Sequence, residues 1–388
     1  MKRADKKNGS RIHLFAVTTI AAVALFMSAI SVYGSDNPSG TSTEDVHNAR
    51  IRHETEYGGI CISIPTNDFR AMGYDYGDSI NVKFSNGYFL EDLPYYDGYY
   101  VPPEGFLLRG VAGKDYIKAC INYGEDLWKI AGVCEKDTAD ICLNEKGKYL
   151  SVQEASNLNY SDNRSDYASD DIFANFRNIA PGSIKEGMIY RSASPCDNKH
   201  NRAPYVDTLI KEAGVAFILD LADNEEKVRT YMDEEGFNSP YFASLYKDGR
   251  VALLSLKMNF TDDDFRSTII EGLSAMKDNE GPYLIHCTEG KDRTGFVCML
   301  LEALADSTYD EIIDDYMITY QNYYGIKKDD EKYEVILNNN IVPMLFFLTG
   351  EEDTAGVKSA DLAECAKRYL LEGGMKEDDI TALLTAIM

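Results

Sequence analysis

Residues 286–295 read His286-Cys287-Thr288-Glu289-Gly290-Lys291-Asp292-Arg293-Thr294-Gly295. A cysteine and an arginine separated by five residues, with a glycine between them, can close a ring around one tetrahedral oxyanion. In such a ring the backbone N–H groups turn inward, and a helix beginning at its end adds the positive end of its dipole. A thiolate placed there is stabilised for the same reason as a phosphate, so the cysteine becomes a usable nucleophile. The chemistry these residue types offer is displacement at phosphorus.

The elements needed to hold the ring are also visible. Tyr283, Leu284, Ile285 and His286 lead in as a short strand, and the apolar run from Phe296 to Ala305 leads away as a helix. Cys-x5-Arg alone is weak, because 8 Cys and 15 Arg in 388 residues give about 0.3 matches by chance. A second match, Cys196 to Arg202, lacks glycine, follows Ser194-Pro195 rather than a strand and runs into Ala203-Pro204, which reads as coincidence in a loop. At Cys287 the added His286, Gly290, Lys291, Asp292, Thr294 and Gly295 make the signal specific.

With these residues the chain resembles bacterial tyrosine-phosphatase-like proteins that carry the signature His-Cys-x-x-Gly-Lys-Asp-Arg-Thr-Gly, many of them dual-specificity or phosphoinositide phosphatases. Asn175-Phe176-Arg177-Asn178, followed by Tyr190-Arg191-Ser192, is similar to the family's Asn-Phe-Arg-Asp and Tyr-Arg-Ser. Ile218-Leu219-Asp220-Leu221 continues with Ala222, where the family usually has Arg. That departure removes any substrate contact the arginine would make. The resemblance covers residues 172–388 and implies an α/β phosphatase domain, a central sheet flanked by helices.

The expected reaction has Cys287 as nucleophile and Arg293 gripping two phosphate oxygens in a bidentate fork, which a lysine could not match. Thr288, Glu289, Gly290, Lys291 and Thr294 are the remaining phosphate-binding candidates, Thr294 as a hydroxyl donor to the cysteine sulfur. Loop and arginine together neutralise the charge, so no metal and no cofactor is expected. A general acid must protonate the leaving oxygen. The resemblance implies Asp292. The triplet Asp262, Asp263 and Asp264 is an alternative, although three carboxylates before Phe265 also make an N-terminal cap. Lys291 beside Arg293 suits substrates carrying further phosphates. An inositol-polyphosphate phosphatase is therefore the competing enzymatic reading, and a catalytically silent phosphate-binding or adhesion protein the competing one from another class.

Five basic residues before Arg11 inclusive, an apolar stretch from Ile12 to Ile30, and small residues at Val32 and Gly34 read as a signal peptide over 1–34. The expected location is secreted or extracytoplasmic, or anchored where the leader is retained. Its removal leaves 34 Lys+Arg against 63 Asp+Glu, a net charge of −29. Such a surface repels nucleic acid and anionic membranes over long range, so neither nucleic acid nor stable membrane insertion after signal cleavage is expected, while the resemblance implies phosphorylated protein or phosphoinositide substrates as partners. A basic pocket for them would draw on Lys291, Arg293 and Arg191. Cys61, Cys120, Cys134 and Cys142 could pair in three ways, whereas Cys298 and Cys365 sit in apolar helical runs as buried thiols.

Ahead of the phosphatase part, 35–57 reads as a flexible stalk, 58–150 as a small mainly-β domain of unknown role and 151–171 as a linker. Ile80, Val82 and Phe84 alternate with polar neighbours, and Asn86-Gly87 and Asp97-Gly98 are turn signals. Gly77–Lys83, Tyr95–Gly105 and Tyr116–Ala119 resemble the β-barrel domain of SAM hydroxide adenosyltransferases and halogenases. The dense tyrosines of this stretch, Tyr88, Tyr95, Tyr96, Tyr99 and Tyr100, read as packing residues rather than a carbohydrate platform.

Overall fold

The computed structural model describes residues 43–388, so the leader and the first part of the expected stalk lie outside the described residues. Seven strands form a closed barrel: β1 (Val46–His53), β2 (Ile60–Ile62), β3 (Ser79–Phe84), β4 (Phe89–Tyr96), β5 (Phe106–Gly110), β6 (Ile117–Ile121) and β7 (Thr138–Glu145), in the order β1-β2-β6-β5-β4-β3-β7. The pleat explains the pattern in β3. Ile80, Val82 and Phe84 fill the barrel while Lys83 faces water. Asn86-Gly87 joins β3 to β4, with Gly87 at φ +95° and the Asn86 carboxamide accepting from Tyr88 N.

The flexible stalk expected over 35–57 is corrected here. Its residues 46–53 are β1, which pairs with both β2 and β7 and so closes the barrel. The strand is unreadable in sequence because a bulge between Val46 and Ala49, with Asn48 at φ +53°, breaks the two-residue period. Tyr95 and Tyr96 are buried, in keeping with packing, whereas Tyr99 is exposed. All eight cysteines are free thiols, and none of the pairings considered for the N-terminal four is formed.

Five strands build the second sheet: β8 (Arg177–Ile179), β9 (Ile189–Ser192), β10 (Phe217–Asp220), β11 (Val251–Leu253) and β12 (Tyr283–His286), in the order β11-β10-β12-β9-β8. All neighbours are parallel except β8 with β9. Alternate residues of β10 serve opposite faces. Phe217 and Leu219 join the core under the C-terminal helices, and Ile218 joins a smaller core with Val206, Ile210 and Phe242. The helix Asp292–Leu304 is buried along nearly its whole length, which is why its apolar residues show no single stripe. Residues 151–171 are not a plain linker: a helix, Leu150–Ser156, opens the segment, and Ala155 enters the phosphatase core. No helix among the described residues is long and apolar enough to cross a membrane.

Candidate active site

Cys287 follows β12 directly, at the strand ends where open α/β sheets bind ligands, and it is 3% exposed. From Thr288 to Lys291 every carbonyl is tied to protein on the outer side of the loop. Thr288 O accepts from Ser194 N at 3.2 Å. Glu289 O accepts from Tyr323 OH at 2.8 Å and Asn175 Nδ2 at 3.3 Å. Gly290 O accepts from Arg191 Nη2 at 2.9 Å and Asn175 Nδ2 at 3.3 Å. Lys291 O accepts from Arg191 Nη2 at 3.4 Å, besides taking the first hydrogen bond of the following helix from Gly295 N at 2.7 Å. A trans peptide plane points its N–H opposite to its C=O. Clamping the carbonyls outward therefore turns the following amides inward, toward the ring Cys287 heads. Gly290 makes the turn possible: it sits at φ +67°, and a Cβ there would lie 2.2 Å from Ser192 O.

The clamp hangs on one buried carboxylate. Asp315 accepts from Arg177 Nε at 2.8 Å and from Arg191 Nη1 at 2.6 Å. Burial opposes its charge, but the two guanidiniums outweigh burial and hold the carboxyl well below the usual carboxylate range. Arg177 also donates to Asn175 Oδ1 at 2.8 Å, orienting the carboxamide that grips the loop. Asn175 itself ends the helix Asp170–Ala174 in the left-handed conformation, φ +50°. Arg191 is thus corrected as a pocket cation. At 1% exposure it is a brace behind the loop, committed to Asp315 and the loop carbonyls.

Arg293, in the first turn of the helix, is held by Leu256 O at 3.3 Å and Thr288 Oγ1 at 3.2 Å. Thr294 is fully buried, and its hydroxyl has no partner among the described residues. The hydrogen bond expected from it to the Cys287 sulfur is not formed. Lys291 Nζ lies 3.7 Å from Glu289 and 3.8 Å from Asp292, so much of its charge is already matched. Burial works against that charge, yet Asp292, Tyr324 and Glu289 overcome it and raise its pKa well above the ordinary lysine value. Asp292 stays partly open, 43% exposed, beside the loop. Two of the aspartate triplet have structural roles: Asp262 caps the helix Asp263–Lys277 by accepting from Asp264 N at 2.8 Å, and Asp263 pairs with Arg266.

Sequence reasoning missed Asp315, Thr319 and Tyr323, which look like ordinary positions of an amphipathic helix, Tyr309–Tyr324. It also missed Tyr160, whose hydroxyl donates to Glu289 Oε1 at 2.6 Å and whose ring stacks on Tyr323 with centroids 5.0 Å apart. The only hint was an aromatic residue in a polar stretch. Arg202, from the coincidental second Cys-x5-Arg match, lies 4.7 Å over the Tyr160 ring and 4.9 Å over that of Tyr323, and forms no ring with Cys196.

Behind the nucleophile, Asp220 and His286 are fully buried, with Oδ2 and Nε2 3.8 Å apart. Burial pushes Asp220 up to about 6 and His286 down to about 4. Cys196, Asp220 and Asp223 also converge, their ligand atoms within 4.8 Å of one another, and Lys227 supplies a cation 3.4 Å from Asp223. With its pKa raised, Asp220 keeps a proton in the folded state that the unfolded chain releases near pH 4. Its ionisation therefore costs nothing below about pH 4 and costs fully above about pH 6. Asp220→Asn is expected to stabilise the protein by about 2 kcal/mol at pH 7.5 and hardly at all at pH 4. Urea midpoints at the two pH values check this. An equal gain at both would show that the carboxylate charge is not the cause.

A family model described as the tyrosine phosphatase family matches residues 173–387. Among solved structures, TpbA of P. aeruginosa is 15% identical over 50% of this chain and 91% of its own, with a TM-score of 0.28. The core catalytic domain of the PP-IP phosphatase SIW14 from S. cerevisiae, in complex with citrate, is 18% identical over 42% of this chain and 94% of its own, with a TM-score of 0.25. An uncharacterized conserved protein from Thermotoga maritima is 16% identical over 30% of this chain, with a TM-score of 0.22, and the match spans 42% of that protein's length. No curated protein matches the chain. The matched region holds the clamped loop, its cysteine and its arginine, and the chain belongs to the tyrosine phosphatase family, as a hydrolase of the protein-tyrosine-phosphatase type.

Proposed function

We propose that this chain is an exported cysteine-dependent phosphatase that hydrolyses phosphotyrosine monoesters, and secondarily phosphoserine, phosphothreonine or phosphoinositide esters, through a cysteinyl-phosphate intermediate. The observation that supports it most is the outward clamping of four successive loop carbonyls behind Cys287. Export rests on the basic, then apolar, then small-residue order of residues 1–34.

In this reading the Cys287 thiolate attacks phosphorus in line, and an S–P bond forms as the P–O ester bond breaks. The inward amides and the Arg293 fork hold the equatorial oxygens. Asp292 gives its proton to the departing oxygen. It then takes one from the water that attacks phosphorus, which breaks the S–P bond and releases orthophosphate. Thr288, Glu289, Gly290 and Lys291 contribute chiefly their backbone, since the Lys291 ammonium is matched by two carboxylates.

The test is phosphate release by the full chain from phosphotyrosine peptides and from a phosphoinositide panel, with reductant and chelator present. Release from the peptides with little from the panel is expected; the reverse preference would favour the inositol-phosphate reading. Asp292→Asn is expected to lower kcat on phosphotyrosine by about 10²-fold. A general acid must carry its proton to act, so the variant should lack the alkaline limb of the activity profile. A wild-type pH profile in Asp292→Asn would remove Asp292 from the role.

A further inference from the structure

Barrel and catalytic-loop residues line the same cavities. A cleft of about 640 Å³ runs between the two, with Asp292, Met258 and Phe260 on the phosphatase side and Tyr57, Tyr99 and Tyr123 on the barrel side. On the other flank of Asp292, the barrel's Tyr100 shares a cavity of about 230 Å³ with Lys291, Tyr320 and Tyr324. The barrel residues from Tyr99 to Pro103 thus approach Asp292 from both sides.

Three features mark this wall as built for contact. Large apolar side chains are exposed at nine positions among the described residues, and three of those nine, Tyr57, Tyr99 and Tyr123, line this one cleft. Tyr123 holds φ +49°, a conformation bulky residues avoid and one that gathers at binding sites. Its ring is 51% exposed nonetheless. Tyr99 carries Arg109 4.5 Å over its ring and Lys118 at 5.6 Å.

We infer that the barrel forms the substrate-selecting wall of the active site, and that its occupant is the apolar or aromatic flank of a phosphotyrosyl polypeptide. The inference rests on the phosphatase reading above and names the substrate class for the same site. Charge decides between occupants. The cleft's one barrel lysine, Lys118, is paired with Glu54 at 3.4 Å, and the phosphatase side contributes the carboxylate of Asp292. Among the residues lining the cleft, a polyphosphorylated inositol or an anionic membrane would meet no unmatched cation, since Arg109 lies against the Tyr99 ring and outside the lining. Exposed tyrosines, Pro102, Pro103 and Met344 fit polypeptide side chains, and the volume lies within the range of ligand pockets.

The test compares kcat/KM of the full chain on p-nitrophenyl phosphate and on a phosphotyrosyl peptide with Leu, Phe and Pro flanks. Variants are Tyr99→Ala and Tyr123→Asn, the latter because asparagine tolerates the left-handed backbone. The peptide-to-p-nitrophenyl phosphate efficiency ratio is expected to fall about tenfold in each, through KM. A ratio that does not move, whether both activities fall or neither does, overturns the inference while leaving the phosphatase reading intact. A loss confined to a soluble inositol polyphosphate overturns it as well. A wild-type chain that hydrolyses neither substrate overturns the phosphatase reading, and this one with it.

Discussion

Cys287→Ser is expected to reduce phosphate release from phosphotyrosine by roughly 10⁴–10⁶-fold, the scale on which enzymes lose their nucleophile. The argument is geometric. Cys287 heads a loop whose carbonyls are held by surrounding residues, and it is the one thiol among residues 286–295. Serine is close to it in size, while its hydroxyl stays protonated where the thiol would ionise. The amides and Arg293 are untouched, so the variant should still bind orthophosphate and melt close to the wild type. Substantial turnover by Cys287→Ser would show that phosphorus is attacked by something other than this residue. Turnover and phosphate binding lost together would instead report a collapsed loop.

Asp315→Asn is expected to cost about 3–5 kcal/mol of stability, because the buried Arg191 and the largely buried Arg177 lose the charge that compensates them. Arg177 and Arg191 both bond its carboxylate, and both also hold the machinery of the loop, one through Asn175 and the other through Gly290 O. Unfolding should come about 10 °C lower by calorimetry. Activity should fall more steeply than stability, since loosened carbonyls let the amides turn away. The carboxyl is held below its usual range, so its contribution is complete above about pH 4 and is lost only as pH falls through the lowered folded value. Melting therefore should not separate wild type from variant less at pH 8 than at pH 6. A variant that melts with the wild type would mean that the arginines find other partners and that the clamp does not depend on Asp315.

The catalytic loop was legible because its chemistry is contiguous: ten neighbouring residues carry nucleophile, arginine and both glycines, and the strand and helix around them follow from short apolar runs. The helix Asp263–Lys277 was readable from its cap and its period. What holds the loop in shape was not readable. Asp315 lies 124 residues from Arg191 and Tyr160 lies 129 from Glu289, so each gains meaning only when the chain closes on itself. Arg191 shows the limit most clearly. A cation near a phosphate site reads as a phosphate ligand, and only burial and partners reveal a brace. β1 failed for a local reason, the bulge that shifts its alternation.

The closed ring of the barrel has one more consequence. Because β1 pairs on both sides, the seven-stranded ring leaves no free edge of main-chain donors and acceptors. A neighbouring chain cannot attach to it by adding a strand, which is a common route to fibrous self-association. Whatever the barrel engages, it must engage through side chains, so its preferences can drift by single substitutions at exposed tyrosines without disturbing the backbone that carries them.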